Sequence, residues 1–210
     1  MTPAALSEIA GAGLDEGAMA DLSSFAQMVG RWNARINLIS PDTLPEIWAR
    51  HVADSAQLYR HLPETAKSLV DIGSGGGFPG IVLAIILRAL GRKMKIDLIE
   101  SDRRKAAFLG IALRDLRLEG KVHGRRAEEV DPLDADIVTA RALAPLDRLA
   151  PLVMRHLGSR GIGIFPKGRQ HMQEIAALPG SFRVRDIARS LTESGSAIIL
   201  IERGNDAATR

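Results

Sequence analysis

A mostly parallel α/β sheet closed by an antiparallel hairpin, with a helical extension ahead of it, is the fold this sequence predicts. Three observations carry it. From residue 67 onward, short apolar runs of strand length alternate with longer amphipathic stretches of helix length. The last two apolar runs are separated only by residues 189–196, too short for a crossover helix, so they must pair antiparallel. The residues before 67 carry their apolar positions at helical spacing instead.

Along the extension, Leu22, Phe25, Val29, Trp32 and Ile36 recur three and four apart, which is one face of a helix. Pro41 and Pro45 interrupt it. A second stripe (Leu44, Ile47, Trp48, His51, Ser55, Leu58 and Leu62) predicts another helix, ended by Pro63. No low-complexity linker follows, so residues 1–66 are expected to pack on a domain made of residues 67–210. That domain should hold seven strands: Ser68–Ile72, Lys95–Glu100, Lys121–His123, Ala135–Ala140, Gly161–Pro166, Phe182–Ala188 and Ala197–Glu202. The helices between them should be Pro79–Leu90, Asp102–Leu118, a short one near Glu128, Pro145–Leu157 and a looser one over Arg169–Ala177.

Composition narrows the setting. The 210 residues include no cysteine, which excludes disulfides and thiolate metal ligands; no metal site is predicted, and the reducing cytoplasm is the expected compartment. The N-terminus lacks the pattern of a secretory signal. The longest apolar run, Phe78 to Leu87, is too short to cross a bilayer, so no membrane role is expected. The formal charge is only +3, yet 22 of the 28 basic residues are arginine. They cluster at Arg88, Arg92, Lys93 and Lys95, at Arg103, Arg104 and Lys105, and at Arg125 and Arg126. Arginine forks grip phosphate, so these clusters suit RNA, or else reflect a composition bias in a chain also rich in Ala and Gly. Nothing suggests more than a monomer.

The segment "DIGSGGGFPG", residues 71–80, lies between the first strand and the first helix of the sheet. That turn is at the carboxyl edge, where ligands bind in such sheets. Its glycines let backbone approach a ligand without interference from Cβ, and Pro79 suits the first position of a helix. A Walker phosphate loop fails, because Gly80 is followed by Ile81 and not by Lys-Ser. A dinucleotide turn is possible, since Gly75, Gly77 and Gly80 fit its spacing. S-adenosylmethionine is the third candidate: Asp71 ahead of Gly73 and Gly75 supplies an acid beside the glycines for a donor whose tail is an ammonium. Glu100, at the end of the second strand, can accept both ribose hydroxyls of either NAD or the methyl donor. The closing hairpin leans toward a methyltransferase over an NAD-dependent oxidoreductase.

"DIGSGGGFPG" together with "WNARINLI", "RHVADS", "TARALAPL" and "PKG", in that order between Trp32 and Gly168, resembles the glucose-inhibited division protein B family. The resemblance implies a Rossmann-like class I S-adenosylmethionine-dependent methyltransferase. Its implied partner is 16S ribosomal RNA or the small ribosomal subunit, methylated at N7 of a single guanine. It further implies that Gly73 and Phe78 contact the donor, that Ala127 and Glu128 frame the adenine, and that Arg141 lies beside donor and target base as a positioning residue. Glu100 stands where the family pattern more often has Asp, which should preserve the ribose contact. Five residues have two readings. Glu128 frames the adenine or simply begins the short helix, and Arg141 takes the role above or is an ion-pair residue at a strand end. His51 packs in the core or joins the site; Asn37, with Asn33 on the same helical face, steadies that helix or reaches the pocket; Lys167 touches RNA phosphate or is a solvated strand end.

The chemistry is narrowed by what is missing. Covalent attack on a pyrimidine needs a cysteine, and there is none. The Asn/Asp-Pro-Pro-Tyr signature of exocyclic amine methylation is replaced by "ARALAPL". Guanine N7 already presents a lone pair, so its methylation rests on alignment without a general base. A small-molecule methyltransferase would share the donor half, with a pocket closed by the N-terminal helices.

Overall fold

The alternating pattern becomes one sheet of seven strands in the computed structural model, which describes residues 1–204. The strands are β1 (Ser68–Ile72), β2 (Lys95–Ile99), β3 (Lys121–His123), β4 (Ala135–Thr139), β5 (Leu157–Lys167), β6 (Phe182–Arg189) and β7 (Ala197–Arg203). Their order across the sheet is β3-β2-β1-β4-β5-β7-β6. The first five are joined by parallel pairings, and β7 runs antiparallel between β5 and β6. After β3 the chain crosses back to lay β4 on the free side of β1. That reversal opens a crevice at the carboxyl ends of β1 and β4.

Strand periodicity distributes the core over two faces. Leu69, Leu98, Ile137, Ile164 and Leu200 face one hydrophobic cluster, which they share with helices α4 (Gly80–Ala89) and α5 (Arg103–Asp115). Val70, Ile72, Val138, Phe165 and Ile199 face the other, packed against α6 (Leu146–His156). The first cluster also takes in Leu6, Leu22, Phe25 and Val29 from the N-terminal helices, and Trp32 meets Phe108 of α5 with ring centroids 5.9 Å apart. Helix α4 is buried from Gly80 to Leu87 because it lies between the sheet and this N-terminal layer, which explains its unbroken apolar sequence.

The N-terminal layer consists of α1 (Pro3–Ala10) and α2 (Glu16–Ile36), then an irregular helical stretch. Asp15 caps α2 by accepting the Ala18 N–H at 2.7 Å, and Asn37 ends it in the left-handed conformation at φ 42°. The second stripe is not the single helix its spacing predicts. A 3₁₀ turn (Pro41–Glu46) leads into a π-helical turn (Trp48–Ala53), three α residues in α3 (Asp54–Ala56), and a second 3₁₀ turn (Gln57–His61). Pro41 and Pro45 remove two donors at its start. Further on, the Ser55 hydroxyl donates to the His51 carbonyl at 2.6 Å, so that acceptor is shared and the regular ladder is broken.

Other boundaries also move. Helix α6 ends at His156 and β5 starts at Leu157, earlier than the expected Gly161, because Ala135 already pairs with Leu157. Pro79 stands just outside α4 as its capping residue, and the short α7 (His171–Ala176) fills the expected looser helix. Among the described residues no helix is long and apolar enough to cross a membrane. Residues 205–210, the end of the expected domain, lie outside the described residues.

Candidate active site

Strand alternation decides where Asp71 goes. It follows Leu69 on the same face, so its side chain points beneath the turn, into the first core cluster under the start of α4. There Oδ2 accepts the Gly80 N–H at 3.1 Å, while Oδ1 is buried without a partner. Burial is the main cause that pushes this carboxyl up to about 7, against the Gly80 hydrogen bond that favours its ionised form, while the Ser74 hydroxyl donates to the Asp71 backbone carbonyl at 2.9 Å. A Cβ on Gly80 would lie 2.4 Å from Leu98 Cδ2 and 2.7 Å from Asp71 Oδ2, so only glycine lets the helix start this close. Asp71, expected on the pocket wall, is instead the buttress of the turn.

Glu100 is placed differently. Immediately past β2, its Oε2 accepts the Gly75 N–H and its Oε1 accepts the Asp102 N–H, both at 2.8 Å. Each oxygen keeps a lone pair for a further donor. Gly75 has φ +54°, and a Cβ there would meet only the Gly73 carbonyl oxygen, at 3.7 Å, because the residue faces open space. Gly73 lies under the side chain of Leu143 from the loop after β4. These groups line one side of a cavity of about 870 Å³, ample for a nucleoside-bearing ligand. Backbone approach at Gly73 and Gly75, with a carboxylate at the strand end, fits an S-adenosylmethionine donor.

Phe78 is the hub of the next cluster. Its ring packs against Phe25 and against His51, with centroids 5.1 Å away in both cases, and the Arg141 guanidinium lies over it at 5.4 Å. Arg141 in turn donates to the Arg50 carbonyl at 2.9 Å, to Asp54 Oδ2 at 3.2 Å and to His51 Nδ1. Burial pulls its pKa below the ordinary arginine value, opposed by the Asp54 carboxylate. The other Asp54 oxygen accepts from Gln57 Nε2 at 2.8 Å and from the Thr192 hydroxyl at 3.0 Å. The N-terminal layer is thereby bonded to the loop after β4 and to the loop between β6 and β7.

Beyond this cluster the same cavity extends to Pro166, Lys167 and Gly168 at the end of β5 and to Ser196, Ala197 and Ile198 at the start of β7. Lys167 does not offer its ammonium to a phosphate. Only 9% of its side chain is exposed, and Nζ is held by the Ala144 carbonyl at 2.7 Å and Glu174 Oε2 at 2.8 Å. It anchors the loop that carries Arg141 and Leu143.

The remaining expected residues fall outside this cavity. Asn37 is exposed as the α2 cap; its neighbour Asn33 is the one turned inward, accepting the Ile39 N–H at 2.9 Å. Ala127 and the exposed Glu128 lie in a 3₁₀ turn (Ala127–Glu129) after β3, pinned by His156 Nε2 bonding the Ala127 carbonyl at 2.9 Å. Their chain neighbours Arg126 and Glu129 line a second concavity of about 660 Å³, with Ser101, Arg103 and Arg125, and Ser101 lines both cavities. Sequence reasoning missed Asp54, Leu143 and Glu174. Asp54 had a signal, since it lies in "RHVADS" three residues after His51; Glu174 had none.

The comparisons agree with this geometry. The family model described as rRNA small subunit methyltransferase G matches residues 18–198. The ribosomal RNA small subunit methyltransferase G of Cereibacter sphaeroides is 43% identical over 182 residues, covering 86% of this chain and 88% of that protein. The protein of the same name from Rhodospirillum centenum is 44% identical over 183 residues, covering 86% and 82%. Among solved structures, a ribosomal protein methylase from Lactobacillus delbrueckii superposes with a TM-score of 0.58 at 17% identity, over 74% of this chain and 79% of that one. A putative methyltransferase, yhhF, from Escherichia coli gives 0.55 at 17%, over 71% and 85%. At such identities these two establish the fold alone, the Rossmann-like class I methyltransferase architecture. Matched across most of its length by the family model and by relatives well above the level at which families diverge, the chain belongs to the GidB family of rRNA small subunit methyltransferases.

Proposed function

We propose that this protein transfers the methyl group of S-adenosylmethionine to N7 of one guanine in 16S ribosomal RNA. The observation that carries this reading is the single cavity joining the Gly73–Glu100 turn to the ends of β5 and β7, in a chain of this family. The bound donor supplies an electrophilic methyl on a sulfonium; as that bond breaks, N7 gains the methyl and the positive charge, and no proton leaves.

The residues then have positioning work only. Glu100 receives the ribose hydroxyls through its remaining lone pairs. Gly73 and Gly75 admit the aminoacyl tail, and Asp71 supports the turn from below. Phe78 forms the apolar wall, Ala127 and Glu128 frame the adenine where it reaches past Ser101, which lines both cavities, and Arg141, fixed by Asp54 and His51, sets the loop over which the base enters. Residues 1–66 act as a helical cover for the 67–210 domain. The setting is the cytoplasm, with the chain acting as a monomer on RNA and without a membrane.

The test reads the charge on the base. An N7-methylated guanine is open to borohydride reduction, after which aniline cuts the RNA backbone, whereas methylation at N1 or N2 leaves a neutral base that resists both. Small-subunit RNA from cells with the gene should break at one guanine, and RNA from cells lacking it should not. A methyl group that depends on the gene but resists cleavage overturns N7 chemistry.

A further inference from the structure

One carboxylate in the cavity takes no part in the roles assigned so far. Glu174, on α7, accepts the Leu146 N–H at 2.9 Å and the Lys167 ammonium at 2.8 Å, both through Oε2. Oε1 has no hydrogen-bond or ionic partner among the described residues. The side chain is 20% exposed and lines the cavity wall. The other carboxylates there are engaged at both oxygens or lie at the rim. Asp54 is held by Arg141, Gln57 and Thr192, and Glu100 by two backbone N–H groups. Glu193 is 46% exposed and paired with Arg50.

Position adds to this. Glu174 is tied to Lys167, the last residue of β5, and β5 is separated from β1 by β4 alone. Two inter-strand spacings put the β5 end about 10 Å from the donor turn at β1. A flat purine with one edge at the donor fills such a gap. Guanine carries N7 on its imidazole edge, and N1–H and the exocyclic amine on the opposite edge. A base that turns N7 to the donor therefore sends two adjacent N–H donors toward the far wall. An ionised carboxylate is acceptor-only and matches a pair of donors, whereas adenine would set its N1 lone pair against it.

We propose that Glu174 is the residue that reads guanine, its Oε1 facing N1–H and the exocyclic amine of the target base while Oε2 stays on Lys167 and Leu146. This rests on the N7 reading above. Inosine is the probe, because it keeps N7, O6 and N1–H and lacks only the amine. Small-subunit RNA rebuilt by ligation with guanosine or inosine at the mapped site is offered to wild-type protein, Glu174→Gln and Glu174→Ala, and kcat/KM is measured for each pair. Wild type should prefer guanosine, and in Glu174→Ala that preference should shrink by about tenfold or more, the scale of a hydrogen bond to a charged group. Inosine's own altered N7 reactivity cancels, because it is common to all three proteins. Glu174→Gln keeps an acceptor for the Leu146 N–H but turns its amide NH2, a donor, toward the donors of the base, so its preference should shrink at least as much; it decides the matter if the alanine protein does not fold. A preference unchanged in the variants makes Glu174 only an anchor of the loop and overturns the proposal. Wild type that methylates neither RNA at N7 fails the underlying reading, and this inference with it.

Discussion

His51 accepts the Arg141 guanidinium on Nδ1, and this fixes where the imidazole keeps its proton. Arginine offers only donors, so Nδ1 is the lone-pair nitrogen and Nε2 carries the hydrogen. Nε2–H then donates to the Thr43 hydroxyl at 2.8 Å, which donates in turn to the Ser40 carbonyl at 2.9 Å. Burial, with Arg141 and Arg50 adding to it, lowers the His51 pKa to about 4. The ring is a neutral wedge between Phe78 and the Arg141 loop.

Acid should therefore loosen this part of the molecule. The folded pKa of about 4 lies below the ordinary 6.5, so the His51 contribution to stability is complete above pH 6.5 and is lost as pH falls toward 4. The loss amounts to at most about 3 kcal/mol. Asp71 acts in the opposite sense: its raised pKa gives stability that is present in acid and lost as pH rises toward 7. Comparing urea denaturation of wild type with His51→Gln cancels the Asp71 part, and the variant should lose less stability than wild type between pH 6.5 and 4. Parallel profiles would remove His51 from this role.

Glu100→Ala should weaken binding of the methyl donor by about 1–3 kcal/mol, since the proposed acceptor of the ribose hydroxyls goes and the Gly75 and Asp102 N–H groups lose theirs. RNA affinity should change little, because the carboxylate faces the donor side of the cavity. Calorimetry with S-adenosylhomocysteine and filter binding of RNA separate the two; equal losses in both would argue against the assignment.

Two glycine-to-alanine changes should have opposite signs. At Gly80 the new methyl would sit 2.4 Å from Leu98 Cδ2 and 2.7 Å from Asp71 Oδ2, in a packed core that cannot yield cheaply. A destabilisation of about 1–3 kcal/mol is expected, with weakened donor binding. At Gly110, exposed in the interior of α5, a Cβ meets nothing within 4 Å, and alanine should stabilise by up to about 1 kcal/mol. Thermal melts of both variants check the pair.

RNA binding should fall steeply with salt, in part through Arg103, Arg125 and Arg126. They line one concavity beside the donor cavity, and none has a carboxylate within 4 Å among the described residues. Replacing one of these arginines by alanine leaves one phosphate fewer neutralised, so the slope of log affinity against log salt should fall by about 0.7–0.9 while donor affinity stays the same. A slope that no substitution moves would return these arginines to ordinary solvated surface.

The sequence by itself determined what depends on neighbours along the chain. Strand and helix alternation, the closing hairpin and the glycine turn are written in short-range periodicity and in residues with special backbone freedom. Glu100 was legible for the same reason, since ending a strand at the carboxyl edge is enough to put it beside the turn. The inward direction of Asp71 was misread, because the acid was assigned by its place beside the glycines and not by its place two residues after Leu69 on a strand face. Tertiary structure alone decided the partners. Arg141 meets His51 and Asp54 across about ninety residues of chain; Lys167 turns from solvent to Ala144 and Glu174 because the loop after β4 passes within reach; and Asn37 stays outside while Asn33 turns in. Backbone preferences are set locally, so pattern reveals them. Which buried polar groups satisfy one another depends on how distant segments pack, and no local period encodes that.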